Sequence, residues 1–269
     1  MIYVEPGLYN EMSFADYSAQ DAITRRHLVV DRNWQRTRYN LDNDKEDTEA
    51  RIFGRAVHAV VLDAASADKE FYFTEEYSRA TKEGKARWEE DTEKANGRTI
   101  IRNSQEIYDM AASVCRHPGA ASLLTGGNAE VSIFWKEGID LCKARLDYLR
   151  DGLVVELKTT TSAAERDFSR EIAKFGYHYQ LAWYRRAIGK YMPVRGAAII
   201  AVEKTPPYCV ATYYLANEDL DRAESVLMKR LDEFRKCRDE ANWSGYSGSP
   251  QLLSLPAWAF SDTNDDLDY

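Results

Sequence analysis

Apolar and polar positions alternate with a period of two over residues 130–135, 141–149 and 153–158, which predicts three consecutive strands. Between the last two stands Asp151-Gly152, a two-residue hairpin signal, because both residues tolerate the positive φ of a type I′ turn. With that pair as the loop, Arg150 pairs with Leu153, Leu149 with Val154 and Tyr148 with Val155, and Asp147 falls directly opposite Glu156. Opposed carboxylates destabilise a sheet unless a cation or a shared proton compensates them. Lys158, two residues past Glu156, lies on the same strand face. The three side chains read either as a partly exposed ion-pair ladder or as a site for a hard divalent ion with an ammonium beside it.

Elsewhere the pattern turns helical. Ile52, Phe53, Ala56, Val57, Val60 and Val61 form one buried stripe, with Gly54 and His58 on its flank. By spacing alone His58 is a hydrogen-bonded core histidine as readily as a ligand. A short helix is expected over 105–114, ended by His117-Pro118-Gly119, and two more over 164–175 and 177–190. Strands follow at 197–202 and 210–215, separated by Thr205-Pro206-Pro207. The clearest helix runs over 217–238, with Asn217 as its N-cap and Leu220, Ala223, Leu227, Leu231 and Phe234 as its apolar stripe. Strand, helix, strand order after the hairpin predicts an α/β (α+β) fold, a central mixed sheet flanked by helices.

The 269 residues are expected to form a single domain: an extension over 1–50, a core over 51–240, and a loop with an acidic tail over 241–269. In the extension, Pro6-Gly7 reads as a turn and residues 41–49 as an exposed loop. Arg25, Arg26, Arg32, Arg36 and Arg38 concentrate there with Trp34 and Tyr39 among them, a pattern that suits phosphate contact and base stacking or a solvated helix face. Residues 66–100 are rich in charge; Lys82 and Lys85 could meet phosphates, although a solvated face is the simpler reading. In the tail, Leu253, Leu255, Trp258 and Phe260 are expected to dock on the body or on a neighbouring subunit.

Composition narrows the classes. Hydrophobic residues at 44% and charged residues at 30% are those of an ordinary globular chain. No apolar run is long enough to span a bilayer and the first residues lack signal-peptide features, so a cytoplasmic protein without membrane contact is expected. A net charge of −8 argues against nucleic-acid binding over the whole surface and leaves room for a local basic groove. The four cysteines lack C-x-x-C spacing, which removes support for a zinc ribbon or an iron–sulfur cluster. G-x-x-x-x-G-K-[ST] is absent, so ATP use has no support.

Asp147, eight intervening residues and Glu156-Leu157-Lys158 resemble the PD-(D/E)xK nuclease signature without its proline. The ordered series Gly54-Arg55-Ala56-Val57-His58, Thr81-Lys82-Glu83-Gly84-Lys85, Glu130-Val131-Ser132, Cys142-Lys143-Ala144-Arg145-Leu146-Asp147, Glu156-Leu157-Lys158-Thr159-Thr160 and Tyr177-His178-Tyr179-Gln180-Leu181-Ala182-Trp183-Tyr184 resembles the nuclease domain of the RecE (exonuclease VIII) family, related to lambda-type exonucleases. The resemblance implies His58, Asp147, Glu156 and the Leu157 carbonyl as ligands of Mg2+ or Mn2+, two ions per active site, with Lys158 as the catalytic lysine and Glu130 as an accessory acid. Gln180 and Tyr184 match its Q-x-x-x-Y element, one helical turn apart. Arg25, Arg26, Arg32, Lys82, Lys85 and Arg145 are the candidate DNA contacts. Glu156 departs from the aspartate that many RecE relatives carry.

It further implies 5′ to 3′ degradation of linear double-stranded DNA to 5′-mononucleotides, leaving 3′ single-stranded overhangs for phage-type homologous recombination. A ring-shaped homo-oligomer, a tetramer or trimer, and a single-strand annealing partner of the RecT type are implied as well. The alternatives are an endonuclease of the same fold and a non-catalytic DNA- or protein-binding module.

Overall fold

The structure, a computed structural model, describes residues 4–29, 33–43, 47–256 and 259. In chain order its helices are α1 (Phe14–Ala19), α2 (Trp34–Asp42), α3 (Glu49–Leu62), α4 (Ala64–Glu70), α5 (Lys82–Ala95), α6 (Ser104–Arg116), α7 (Pro118–Leu123), α8 (Glu165–Phe175), α9 (Tyr177–Ile188) and α10 (Asn217–Asp239). The strands are β1 (Gly7–Tyr9), β2 (Phe71–Phe73), β3 (Thr99–Ile101), β4 (Asn128–Glu137), β5 (Asp140–Arg150), β6 (Leu153–Thr160), β7 (Gly196–Glu203) and β8 (Val210–Tyr214). Six of them make one mixed sheet in the order β1-β4-β5-β6-β7-β8, and β2 pairs with β3 in a small parallel sheet.

The expected α/β architecture is the one observed. β4, β5 and β6 form an antiparallel meander, while β6 and β7 run parallel. Parallel neighbours need a crossover, and α8 and α9 supply it. Strand alternation then sorts side chains into two cores. Ala197, Ile199 and Ala201 of β7 face α9 and α10, where Leu181, Trp183, Leu220, Leu227 and Leu231 are buried. Ala198, Ile200 and Val202 face the opposite layer, with Ala56 and Val57 of α3 and Ile107, Met110 and Val114 of α6. Truncating a fully buried leucine such as Leu181 or Leu227 to alanine would cost about 2–5 kcal/mol.

Several expectations need correction. The stretch 66–100 is more than a solvated face: Phe71 and Ala95 are buried, and Asp91 accepts hydrogen bonds from Tyr77 at 2.8 Å and Tyr72 at 3.4 Å. Gly84 serves packing there, since a Cβ would lie 1.8 Å from the Ser78 carbonyl oxygen. Pro118 does not only stop α6; it opens α7, its fixed φ suiting a first helical turn. Residues 41–42 continue α2 rather than joining a loop. Asn217 is the first residue of α10, not its cap, and its side-chain oxygen faces Arg185 instead. Pro6-Gly7 leads into an edge strand that the pattern did not announce. Leu253 and Leu255 are exposed rather than docked on the body of their own chain, and Trp258 and Phe260 lie outside the described residues.

Candidate active site

The β5–β6 hairpin carries the site. Asp151 and Gly152 both take positive φ, 45° and 78°, as the turn requires. A Cβ at Gly152 would stand 2.0 Å from the Pro193 carbonyl, which keeps this position glycine. Arg150, Leu149 and Tyr148 pair with Leu153, Val154 and Val155 in the expected register.

Beyond Tyr148 the ladder stops. Asp147 is not cross-paired with Glu156; its carboxylate accepts the Leu157 N–H at 2.8 Å. The phase of β5 slips at this point, since Leu146 belongs to one core and Tyr148, two residues on, to the other. β4 slips at the register position facing Asp147, which Glu130 occupies with a φ of 53°. A positive φ at a non-glycine residue costs of order 1–3 kcal/mol and persists only where the surroundings enforce it. Here Arg145 is the enforcing group, donating to Glu130 Oε2 at 2.7 Å, Ser132 Oγ at 2.6 Å and the Met12 carbonyl at 2.8 Å. The local unpairing takes Asp147 out of direct opposition to Glu156 and leaves its carboxylate on the Leu157 N–H instead.

Glu156 is 1% exposed. Its Oε1 accepts from Gln180 Nε2 at 2.7 Å and meets the Lys158 ammonium. Its Oε2 is buried with no partner. Gln180 Nε2 also donates to the Tyr184 hydroxyl at 2.8 Å, the one-turn spacing on α9 bringing both groups to one edge. His58 Nδ1, reaching over from α3, lies 3.3 Å from Asp147 Oδ2. Asp147, Glu156, Lys158, His58, Gln180 and Tyr184 thus converge, with Glu130 at the rim.

The electrostatics follow from burial and shared charge. Burial and then Asp147 push the Glu156 carboxyl up to about 7. Burial disfavours the Asp147 carboxylate as well, but His58 and Lys158 outweigh it and hold Asp147 below its ordinary range. Burial opposes the Lys158 charge, and Glu156 with Asp147 overcomes it and raises the ammonium. Burial likewise opposes protonation of His58, and Asp147 reverses the balance upward. Glu130 is raised by its burial and by Asp147.

The fit of a divalent ion can be judged from the donor set. An unpartnered buried carboxylate oxygen costs free energy. Asp147 and Glu156 supply hard oxygens of the kind magnesium accepts with only one or two carboxylates. The residues fit. Among the described residues, however, no group of three or more His, Cys, Asp and Glu side chains stands ready to hold a metal, so the expected His58, Asp147 and Glu156 set is not preformed. Lys158 sits on Glu156 and His58 on Asp147, each occupying coordinating oxygen.

Behind Lys158 lies a chain of residues with no role assigned from the sequence. The ammonium stands 4.8 Å from the centre of the Tyr177 ring, within cation–π range. Glu171 lies 3.5 Å from the Tyr177 hydroxyl and accepts from Thr160 Oγ1 at 2.7 Å. The signal was the spacing of Tyr177 and Gln180, three apart and hence on one helical face. Lys143, on the strand two residues before Arg145, donates to the Tyr17, Ser18 and Gln20 carbonyls and pins α1 beside the site.

The candidate DNA contacts scatter. Arg25 donates to the Phe175 and Gly176 carbonyls at 3.0 and 2.9 Å, Arg26 donates to the Asn40 carbonyl, and both line a cleft leading to Gln180 and Tyr184. Lys82 and Lys85 are exposed on α5, away from the lining of that cleft. Arg145 is turned inward as the holder of Glu130, not presented to an open surface. Arg32 lies outside the described residues.

Residues 32–256 match the family model described as a PDDEXK-like domain of unknown function (DUF3799). The chain belongs to that family. The match places the chain in the PD-(D/E)xK superfamily, whose nucleases generally use divalent metals. A solved protein from Eubacterium rectale, provisionally named an exonuclease, has a TM-score of 0.59 to this chain at 12% identity, covering 91% of this chain and 96% of that one. At that identity the likeness speaks of fold alone. The solved protein SSO0001 has a TM-score of 0.28 at 16% identity, covering 54% of this chain and 69% of its own. No curated protein matches the chain in sequence. Among the described residues no helix is long and apolar enough to cross a membrane.

Proposed function

We propose that the protein is a magnesium-dependent 5′ to 3′ exodeoxyribonuclease of the RecE type, which degrades linear double-stranded DNA to 5′-mononucleotides and leaves 3′ overhangs for recombination. The observation that carries the reading is the buried, unpartnered Glu156 Oε2 beside Asp147, with Lys158 and Gln180 on the other oxygen of the same carboxylate. A binding module has no use for so costly an arrangement.

Asp147, Glu156 and the Leu157 carbonyl are the groups that would hold magnesium or manganese, with His58 and Glu130 at the edge. When bound, the ion supplies Lewis-acid polarisation of the phosphodiester. The remaining work falls to the protein. Lys158 offers a cation for charge that builds on the phosphoryl oxygens. Gln180 orients both Glu156 and the Tyr184 hydroxyl through one amide nitrogen. Tyr184, whose hydroxyl burial raises well above its ordinary range, stays neutral and can donate to a phosphate oxygen. The proposed setting is cytoplasmic, with a ring-shaped homo-oligomer around the duplex and an annealing protein loading on the exposed strand.

Incubation with end-labelled linear duplex and with closed circular duplex, each with and without magnesium, tests the proposal. Metal-dependent loss of the linear DNA alone is the expected result. Cut circles would make the protein an endonuclease, and intact linear DNA in magnesium or manganese would remove nuclease activity altogether.

A further inference from the structure

The cleft that opens on Gln180 and Tyr184 has a volume of ≈ 1520 Å³, well above the ~300–1,000 Å³ of pockets built for small ligands. Six basic side chains line it against the carboxylates of Asp21 and Asp47; Lys143 is taken up by the α1 carbonyls and Arg55 by Asp47 and Glu70, which leaves Arg25, Arg26, Arg51 and Lys174 as the cations a ligand could meet. Such a balance runs against a net charge of −8 for the whole chain. The histidines in the lining add little positive charge at neutral pH, because burial pushes His27 down to about 4 and lowers His178 too. Arg51 is exposed one turn of α3 before Arg55, and among the described residues its guanidinium has no ion-pair partner. A polyanion fits this lining.

Two aromatic rings select the kind of polyanion. Phe14 on α1 is 62% exposed and Phe175 at the end of α8 is 51% exposed, and both line the same cleft. A duplex offers its phosphates but keeps its base faces stacked inside, whereas a single strand offers both. Exposed rings beside cations are the combination that single-strand binding uses.

We propose that this cleft grips a single-stranded segment of DNA leading to the cutting site, with Phe14 and Phe175 stacking its bases and Arg25, Arg26, Arg51 and Lys174 meeting its phosphates. The proposal rests on the nuclease reading only in its choice of DNA as the polymer. It assigns the duplex itself to another part of the surface.

Fluorescence anisotropy of a labelled 12-nucleotide thymidine strand, measured in EDTA so that no cleavage occurs, tests the assignment against a blunt duplex competitor of the same length. Phe14→Ala and Phe175→Ala should each weaken strand binding by roughly tenfold, the range measured for loss of one stacked base, and Phe14→Trp should retain it. Arg51→Ala should lower the salt slope by roughly 0.7. Because both rings are exposed, their removal leaves the core untouched. A duplex that competes as well as the strand, or a double ring variant that binds unchanged, would overturn the proposal. Ring-dependent strand binding without any metal-dependent turnover would keep the cleft and remove the nuclease. Turnover of linear duplex without ring-dependent binding would do the reverse.

Discussion

The two ends of β5 hold buried acids that are treated in opposite ways. At its start, Asp140 accepts from Arg235 at 2.7 Å and Arg238 at 2.6 Å, one guanidinium per oxygen. Beside it, Glu137 meets the Arg186 guanidinium and, at 2.5 Å, the Lys190 ammonium. Burial raises both carboxyls, but these partners outweigh it and hold Glu137 and Asp140 below their ordinary values. Near its other end, Asp147 and Glu156 share Lys158 and His58, one Glu156 oxygen has no partner, and that carboxyl is pushed up to about 7. The first pair knits α9 and α10 to the sheet; the second is the pair proposed to hold an ion. Burial alone does not separate the two pairs. Glu137 Oε1 and Glu156 Oε2 both lack a hydrogen-bond donor, but a cation, Lys190, stands against the first and none against the second.

The largest effect that would break this comparison is on turnover. Glu156→Gln and Lys158→Ala should each reduce metal-dependent cleavage by about 10²–10³-fold, while Asp140→Asn should cleave at close to the wild-type rate. Steady-state cleavage of linear duplex measures all three. An inactive Asp140→Asn of normal stability, or an active Glu156→Gln, would erase the distinction.

Stability should show the mirror image. In metal-free protein the raised Glu156 carboxyl binds a proton more tightly folded than unfolded, so its contribution is present below pH 4.5 and is lost as pH rises through about 7. A shift of that size corresponds to about 3 kcal/mol at most. Glu156→Gln should therefore flatten the loss of stability from pH 5 to 8 in chelator, read by urea unfolding. Asp140 and Glu137 have the opposite sign: their contribution is present above the unfolded carboxylate range and disappears as pH falls through their depressed values. Asp140→Asn should flatten the acid limb and cost about 1–3 kcal/mol at neutral pH, its arginines being partly exposed. Identical pH profiles for the two variants would contradict the comparison.

The smallest expected effect concerns Tyr177. Tyr177→Leu removes the ring beneath Lys158 and should lower kcat by roughly tenfold with KM little changed, since a partly desolvated cation–π contact contributes about 1–2 kcal/mol. Tyr177→Phe keeps the ring and should recover most of the rate. Equal losses in both would assign the effect to the Glu171 contact instead.

Much of the fold was legible because its signals are short in range. The turn at Asp151-Gly152 and the three register pairs beside it follow from residues within a few positions of one another. So do the apolar stripes of α3 and α10. What escaped is what another part of the chain decides. β2 and β3 are three residues long, too short for alternation to declare itself, and each depends on the other. β1 exists because β4 offers it an edge. The slip at Asp147 and Glu130 could not be read from a period of two, since it is the place where that period fails, and Arg145 and the Met12 carbonyl sustain it.

The sequence by itself determined the strand and helix periods, the hairpin turn, and the presence of Asp147, Glu156 and Lys158 within one short stretch. Tertiary structure decided their state. Gln180 reaches Glu156 from the crossover helix, and His58 reaches Asp147 from the far layer. Only their arrival leaves one carboxylate oxygen buried and empty-handed. The physical reason is range: backbone preferences act over a few residues, whereas burial and charge sum over everything that packs nearby.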